Sequence, residues 1–326
     1  MNRIAVIGGG AWGTALAQVA AKAGREVLLW AMESDVVEAI NNIRENPVFL
    51  PGIALDRAIR ATGDLDETGD CDAWLVVTPA QHMRSVLERA PRCDVPRVLC
   101  SKGIEEHSGE LLHRVAAEAC PGALLAVLSG PTFAHEVARG LPTAVTLAAK
   151  DRAAGKQLRD LLAQPTFRIY LSDDVAGAEI GGAVKNVLAI ACGVVEGRGL
   201  GQNARAALIA RGFAEMTRFG VAMGARPETL AGLSGLGDLV LTCSSTSSRN
   251  YSLGKGIGEG RSADELMNDR RTVAEGAFTA PVLARIARAR GIDMPIVDAV
   301  DRLLKGAAVD SVVDDLLARP PKSEGV

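Results

Sequence analysis

Aromatic residues are scarce in this chain: three tryptophans, two tyrosines and six phenylalanines make up 3% of 326 residues. So few rings offer no stacking platform for bases. Lys and Arg number 36 against 39 Asp and Glu, a net charge of −3, so no basic footprint exists either, and a nucleic-acid partner is not expected. Four histidines and six cysteines, at 71, 93, 100, 120, 192 and 243, form no C-x-x-C pair and no metal-ligand spacing. No metal is expected, and the thiols read as small buried hydrophobes in a reducing compartment. No run approaches the roughly 20 apolar residues of a membrane span, so no membrane insertion is expected. A strand pattern that starts at residue 3 leaves no room for a signal peptide, which makes the expected location cytoplasmic.

What the chain has is a 48% hydrophobic fraction rich in Ala and Gly, enough for a core in each of about two domains. Apolar runs at Arg3–Ile7, Glu26–Trp30, Ala73–Val77, Arg97–Cys100, Leu124–Leu128, Ala144–Ala148 and Arg168–Leu171 are interleaved with helical patterns such as Gln81–Ala90 and Glu110–Ala119. Such alternation predicts an α/β fold, with a mostly parallel, Rossmann-like sheet domain at the amino terminus. Past Val175 the strand signals stop and Ala- and Gly-rich helical stretches take over (178–196, 204–223, 227–232, 279–290, 296–305), which predicts an all-helical carboxy-terminal domain. The expected division is 1–174, 175–318 and a disordered tail at 319–326, with Ser172-Asp173-Asp174 available to cap the next helix.

The first strand runs into Gly8-x-Gly10-x-x-Gly13 and then a helical pattern, the β-turn-α arrangement that binds a dinucleotide. Gly8 permits the tight turn, Gly10 the approach of a pyrophosphate, and Gly13 the packing of helix on strand. Glu33 stands twenty residues beyond Gly13, where an acid accepts from the ribose 2′-hydroxyl, which leans toward NAD(H) over NADP(H) unless Arg25 or Lys22 folds back.

A dehydrogenase also needs a proton carrier and a substrate clamp. Lys185 and Asn186 interrupt a small, apolar helical run, reading either as a solvated turn or as a used lysine. Gly181 and Gly182 beside them cost helix stability, which suits the close approach of a flat ring or a backbone. Ser248, Arg249 and Asn250 end a hydroxyl-rich segment that is either a hydrophilic loop or a set of phosphate donors. Asp238 is the nearest carboxylate able to orient a lysine. Lys102, Gly130 and Thr132 follow strands at the carboxyl edge, where open α/β sheets bind ligands.

These pieces fall into a known order: IGGGAWGTALA, Asn46-x-x-Phe49-Leu-Pro-Gly52, SKGIE at 101–105, SGPTFAHEVARGLPTA at 129–144, GGAVKNVLAIACGVVEG at 181–197, NARAALIARGFAEM at 203–216, GLGDLVLTCSSTSSRN at 235–250 and Val273-Ala-Glu275-Gly276. From about residue 3 to 310 the chain resembles the bacterial-type NAD(P)-dependent glycerol-3-phosphate dehydrogenase family. The resemblance implies NAD(P)H-dependent reduction of a small phosphorylated triose, dihydroxyacetone phosphate, to sn-glycerol 3-phosphate and its reversal, serving glycerophospholipid synthesis. It implies Lys185 as proton donor and acceptor with Lys102 beside it, and Asp238 and Thr242 holding that lysine and the substrate hydroxyls. Ser248, Arg249 and Asn250 match the substrate-binding segment, with Gly130 and Thr132 contributing. Ala11, Trp12, Phe49, Lys102, Ala134, Arg249, Val273 and Glu275 join the glycines and Glu33 toward the dinucleotide. A homodimer is implied as well.

Two positions depart from the family. His135 stands where many relatives carry lysine and receives no role, and Met32 stands where NADP-using relatives often place arginine. Two rivals remain on residues alone. A 3-hydroxy-acid dehydrogenase would take a carboxylate substrate. A non-catalytic dinucleotide sensor would have no use for Lys102, Lys185, Asp238, Arg249 and Asn250 together.

Overall fold

The computed structural model describes residues 1–268 and 274–320. The chain forms two compact units. One comprises Met1–Ser101 with Leu112–Ala178, the other Lys102–Leu111 with the described residues from Glu179 onward. The division falls inside a helix rather than in the 172–174 turn. The ten residues from Lys102 fold with the helical unit, although the sequence reading had assigned them to the sheet domain. Of the expected tail, residues 321–326 lie outside the described residues, while Arg319 is held by both carboxylate oxygens of Asp293 at 2.9 and 3.1 Å.

The first unit is built on one eight-stranded sheet: β1 (Arg3–Ile7), β2 (Glu26–Trp30), β3 (Ile59–Thr62), β4 (Ala73–Val76), β5 (Arg97–Leu99), β6 (Leu125–Ser129), β7 (Thr143–Ala149) and β8 (Phe167–Ser172), in the order β3-β2-β1-β4-β5-β6-β7-β8. Only the β6–β7 pair is antiparallel. Its helices are α1 (Ala11–Lys22), α2 (Ser34–Ile43), α3 (Met83–Arg89), α4 (Leu112–Ala119), α5 (Ala134–Arg139) and α6 (Arg152–Leu162). Strand alternation splits the core in two. Ile4, Val6, Val27 and Leu29 face one cluster, while Ala5, Ile7, Leu28 and Trp30 face the other, around the fully buried Trp74. Both faces being covered explains why these strands read as continuous apolar runs. The strand order reverses between β1 and β4, so their carboxyl ends open at the topological switch point where such sheets bind dinucleotides.

Three elements of this unit were not expected from sequence. β3 is only four residues long and carries Arg60. α5 is six residues. α6 did carry a signal, since Asp151 accepts from the amides of Ala153 and Ala154, and Ala154, Leu158, Leu161 and Leu162 form its buried stripe.

α7 (Val175–Gly197) carries the chain into the helical unit. It is followed by α8 (Gly201–Ala222), α9 (Pro227–Leu230), a single π-helical turn at Leu233–Gly237, α10 (Asp238–Thr242), α11 (Arg249–Gly258), α12 (Ala263–Met267), α13 (Glu275–Ala289), α14 (Pro295–Leu304) and α15 (Val309–Leu317). Asp174 accepts from the Gly177 amide at 2.9 Å and caps α7. Contrary to the sequence expectation, α7 is long and apolar enough to cross a membrane, with a mean hydropathy of 1.5. The 18-residue window that carries this hydropathy is wholly buried inside the protein instead. Its Ala and Gly content serves packing: a Cβ at Gly193 would overlap the Tyr251 carbonyl oxygen, and one at Gly254 the Ile190 carbonyl oxygen, so α7 and α11 cross backbone against backbone. All six cysteines are free thiols. Cys71, Cys100, Cys192 and Cys243 are buried, and Cys93 and Cys120, expected to be buried, are half-exposed.

Candidate active site

In the sheet unit the glycine turn is shaped by main-chain contacts. Gly8 has a φ of +127°, and a Cβ there would lie 2.9 Å from the Val77 carbonyl oxygen. A Cβ at Gly13 would overlap the Gly8 carbonyl oxygen, so Gly13 packs the helix on the turn itself more than on the strand. Nothing lies within 4 Å of a Cβ at Gly10, the residue that precedes α1, and no side chain caps that helix. The amides of its first turn therefore have no side-chain cap, with the helix dipole behind them. Buried Trp12 Nε1 has no acceptor among the described residues. Open space, uncapped amides and a spare donor fit a dinucleotide pyrophosphate.

Asn46 fixes this turn. Fully buried, it donates to the Gly9 carbonyl and to Thr14 Oγ1, both at 2.8 Å, and accepts from the Phe49 amide at 3.1 Å. Ala11, Trp12, Phe49 and Ala134 all pack on the same core cluster. Gly130 and Thr132 lie between β6 and α5, with Thr132 Oγ1 3.3 Å from the Gly130 carbonyl. Glu33 is exposed between β2 and α2. His135 is half-exposed, stacked on Phe133 at 6.0 Å between ring centres and 3.8 Å from Glu136.

The helical unit gathers Lys102, Lys185, Asp238 and Thr242. Lys185, on α7, is 5% exposed and Asp238 is 0% exposed. Lys185 Nζ donates to Asp238 Oδ1 at 2.6 Å and to Thr242 Oγ1 at 2.9 Å, while Lys102 Nζ donates to Asp238 Oδ2 at 2.6 Å. One carboxylate thus serves two amines, one on each oxygen. Asp238 and Thr242 share a face of α10 by their i, i+4 spacing, and the π-helical turn ahead of them sets that face. A Cβ at Gly181 would overlap the Ser234 carbonyl oxygen, so the glycine beside Lys185 admits a backbone rather than a ring. Lys102 is kept here by its own loop, which Arg285 of α13 ties down through the Glu106 carbonyl at 3.0 Å.

Burial is the main force on Lys185, and it lowers the amine's pKa to about 8. The Lys102 charge pushes the same way, and Asp238 opposes both. An amine in that range can give or take a proton near neutral pH.

Ser248, Arg249 and Asn250 open α11. Ser248 caps the helix, its Oγ accepting from the Tyr251 amide at 3.3 Å. The surrounding protein lowers the Arg249 pKa and the Glu275 carboxylate opposes the shift, so the guanidinium stays charged. Asn250 donates through Nδ2 to Asn186 Oδ1 at 3.0 Å and accepts from the Gly276 amide at 2.9 Å. Val273 lies outside the described residues. The sequence reading gave no role to Asn46 or Asn186. The only signal for either was a polar amide embedded in an otherwise apolar or turn-forming run.

Comparison with known proteins shows what the chain is similar to. A family model described as the NAD-dependent glycerol-3-phosphate dehydrogenase N-terminus matches residues 3–155, and the corresponding C-terminus model matches residues 174–314. Proteins named glycerol-3-phosphate dehydrogenase (NAD(P)+) from Erythrobacter litoralis and Novosphingobium aromaticivorans are each 65% identical. The first match covers 98% of this chain and 97% of the relative, the second 98% of each. A crystal structure of glycerol-3-phosphate dehydrogenase from Coxiella burnetii is 38% identical with a TM-score of 0.93, covering 98% of this chain and 99% of its own.

Proposed function

The chain belongs to the NAD(P)-dependent glycerol-3-phosphate dehydrogenase family, and from that premise we propose that Lys185 moves the proton in its reaction. The reaction is reduction of dihydroxyacetone phosphate to sn-glycerol 3-phosphate, and the reverse. NAD(P)H, when bound, supplies the hydride that reaches the carbonyl carbon. Negative charge then grows on the carbonyl oxygen, and the Lys185 ammonium neutralises it and gives up a proton. An ammonium has three N–H bonds. Asp238 and Thr242 take two of them, which leaves the third for substrate. Lys102 adds positive charge, and Asp238 fixes both amines so that neither reorganises during the reaction. In the helical unit Arg249, with Ser248 and Asn250, grips the phosphate; in the sheet unit Gly130 and Thr132 are the proposed substrate contacts. In the sheet unit Gly8, Gly10, Ala11, Trp12, Gly13, Phe49 and Ala134 are the proposed dinucleotide contacts; in the helical unit the proposed contact is Glu275.

The observation that carries this reading is the buried amine of Lys185 sharing one carboxylate with a second lysine. Lys185→Ala should lower kcat by about 10²–10⁴-fold while NADH binding, followed by fluorescence, persists. Near-normal turnover would remove Lys185 from the mechanism.

The finer reading of the cofactor is NAD(H). Arg25 and Lys22 do not fold back toward Glu33. Arg25 is spent on the carbonyls of Leu161, Met1 and Asp160 beside the start of β2, and Lys22 on the Ala138 carbonyl. Arg44 binds the Ile59 carbonyl and Arg60 pairs with Glu67. The exposed side chains that follow β2 and β3 include Glu33, Asp35 and Asp64, which repel a 2′-phosphate. Titration should give an NADH affinity at least about tenfold above that for NADPH; equal affinities would reverse this reading. A cytoplasmic homodimer feeding glycerophospholipid synthesis completes the proposal, with light scattering the check on its mass.

A further inference from the structure

Each of three residues in the proposed site stands one position before a member of a small buried junction. Lys185 precedes Asn186, Arg249 precedes Asn250, and Glu275 precedes Gly276. Asn186 and Asn250 are 6% and 8% exposed, and Gly276 is buried. Asn186 Oδ1 accepts from Asn250 Nδ2 at 3.0 Å, and Asn250 Oδ1 accepts from the Gly276 amide, in the first turn of α13, at 2.9 Å. The fit at Gly276 is close: a Cβ there would lie 2.5 Å from the Asn186 carbonyl oxygen and 2.9 Å from Asn250 Oδ1. Two hydrogen bonds therefore link three helices, α7, α11 and α13, immediately behind the three side chains on which the proposed chemistry depends.

We infer that Asn186 is a positioning residue, holding Asn250 and through it the start of α13, so that Arg249 and Glu275 are set at a fixed distance from the Lys185 amine. This rests on the roles proposed above for those three residues. It does not require Asn186 to touch substrate. A carboxamide suits the task because both partners must be satisfied in a buried place. Asn186 supplies an acceptor, and Asn250 answers a donor on one side and an acceptor on the other. Leaving Asn250 Nδ2 without its acceptor would let the α11 and α13 starts shift, and misplacement of binding groups by about an ångström costs substantial function.

The test uses the full-length enzyme. Asn186→Leu removes the acceptor at similar volume, and Asn186→Asp keeps an acceptor oxygen at the same place. Asn186→Leu should raise the NADH dissociation constant and the KM for dihydroxyacetone phosphate by roughly 5- to 100-fold each, the range expected for one buried donor left unsatisfied. kcat at saturation and the pH midpoint of turnover, which report Lys185, should stay close to wild type. Asn186→Asp should restore both affinities to within about threefold. Gly276→Ala approaches the junction from the other side and guards against an Asn186 variant that does not fold. A Cβ there presses on the Asn186 carbonyl oxygen, so stability should fall whatever the role of the junction; a merely structural junction would leave affinities intact in the protein that still folds, whereas the inference expects lost affinity for NADH. The Asn186→Leu and Gly276→Ala effects should be less than additive when combined, since both break one junction. Unchanged affinities in Asn186→Leu and Gly276→Ala, or fully additive effects, would overturn the inference. So would a shifted pH midpoint with affinities intact, which would make Asn186 a partner of Lys185 rather than of Asn250. Failure of the Lys185 proposal itself is read separately, in the kcat of Lys185→Ala.

Discussion

Buried acidic and basic side chains are divided unequally between the two units. Among the described residues the sheet unit buries Arg97 and Asp174, whereas the helical unit buries Glu105, Glu179, Lys185, Glu215, Asp238 and Asp301. Arg97 donates to the Cys93 and Val95 carbonyls and lies 4.8 Å from the Trp74 ring centre. The sheet unit therefore builds its ligand turn from main chain, at a cost in steric freedom. The helical unit builds its cluster from charges taken out of water, at a cost in solvation that only good partners offset. Backbone sites tolerate salt and pH but no added atoms. Charge clusters tolerate some repacking but respond to every lost partner and every proton.

The largest expected effect tests the charge side of that contrast. Asp238→Asn leaves two buried amines without their carboxylate and should cost about 3–5 kcal/mol in denaturant unfolding. In the folded protein it should also push the Lys185 pKa below its value of about 8, because an opposing charge is lost. Lys102→Gln removes a like charge and should move that pKa upward. Oxidation of glycerol 3-phosphate needs the neutral amine, so its rate should rise as pH increases through about 8, and reduction should fall over the same range. The midpoint should shift down in Asp238→Asn and up in Lys102→Gln. Shifts in the same direction would show that burial alone, and not this arrangement of charges, governs Lys185.

Glu215 provides a second test, away from the proposed chemistry. It is 1% exposed, accepts from the Ile296 and Val297 amides at 2.8 and 3.2 Å, and caps the start of α14. Burial raises its pKa from 4.5 to about 7, against the opposing pull of those amides. Its folded-state pKa lies above the unfolded one, so the native protein binds the extra proton between about pH 4.5 and 7. The contribution to stability is complete below that window and lost as pH rises through it, by roughly 3 kcal/mol. The difference in unfolding free energy between wild type and Glu215→Gln should slope downward across this interval. A flat difference would mean that Glu215 is ionised throughout.

The smallest effects test the main-chain side. Gly13→Ala drives a Cβ into the Gly8 carbonyl and should cost about 1–3 kcal/mol together with cofactor affinity. Gly10→Ala meets nothing within 4 Å, so stability should change by less than about 0.5 kcal/mol while NADH binding still weakens. Equal stability losses in the two would erase the distinction between a glycine needed for folding and one needed for approach.

Much of the fold was legible because its signals are local. β2 has the bounds that its apolar run suggested, and the switch from strands to helices after Val175 is visible in composition. β3 was missed because four residues with an arginine among them carry no periodicity. α11 was missed because Ser248 reads as loop until its hydroxyl is seen capping a helix. No run in the sequence reads as long enough for a membrane span, yet α7 is. Its own length and composition could not reveal that a protein interior would receive it.

The sequence by itself determined the dinucleotide turn, because a backbone that must bend at Gly8 and pack at Gly13 leaves glycine at fixed spacing, and spacing survives in one dimension. It also supplied Lys102, Lys185, Asp238 and Thr242 as candidates. Only the tertiary structure decided that both lysines converge on one carboxylate, that Lys102 folds with the helices and not with the strand it follows, and that Asn186 joins Asn250 to Gly276. Those facts depend on burial and on contacts between residues far apart in the chain, where the electrostatic energy of a charge is set by what surrounds it and not by its neighbours in sequence.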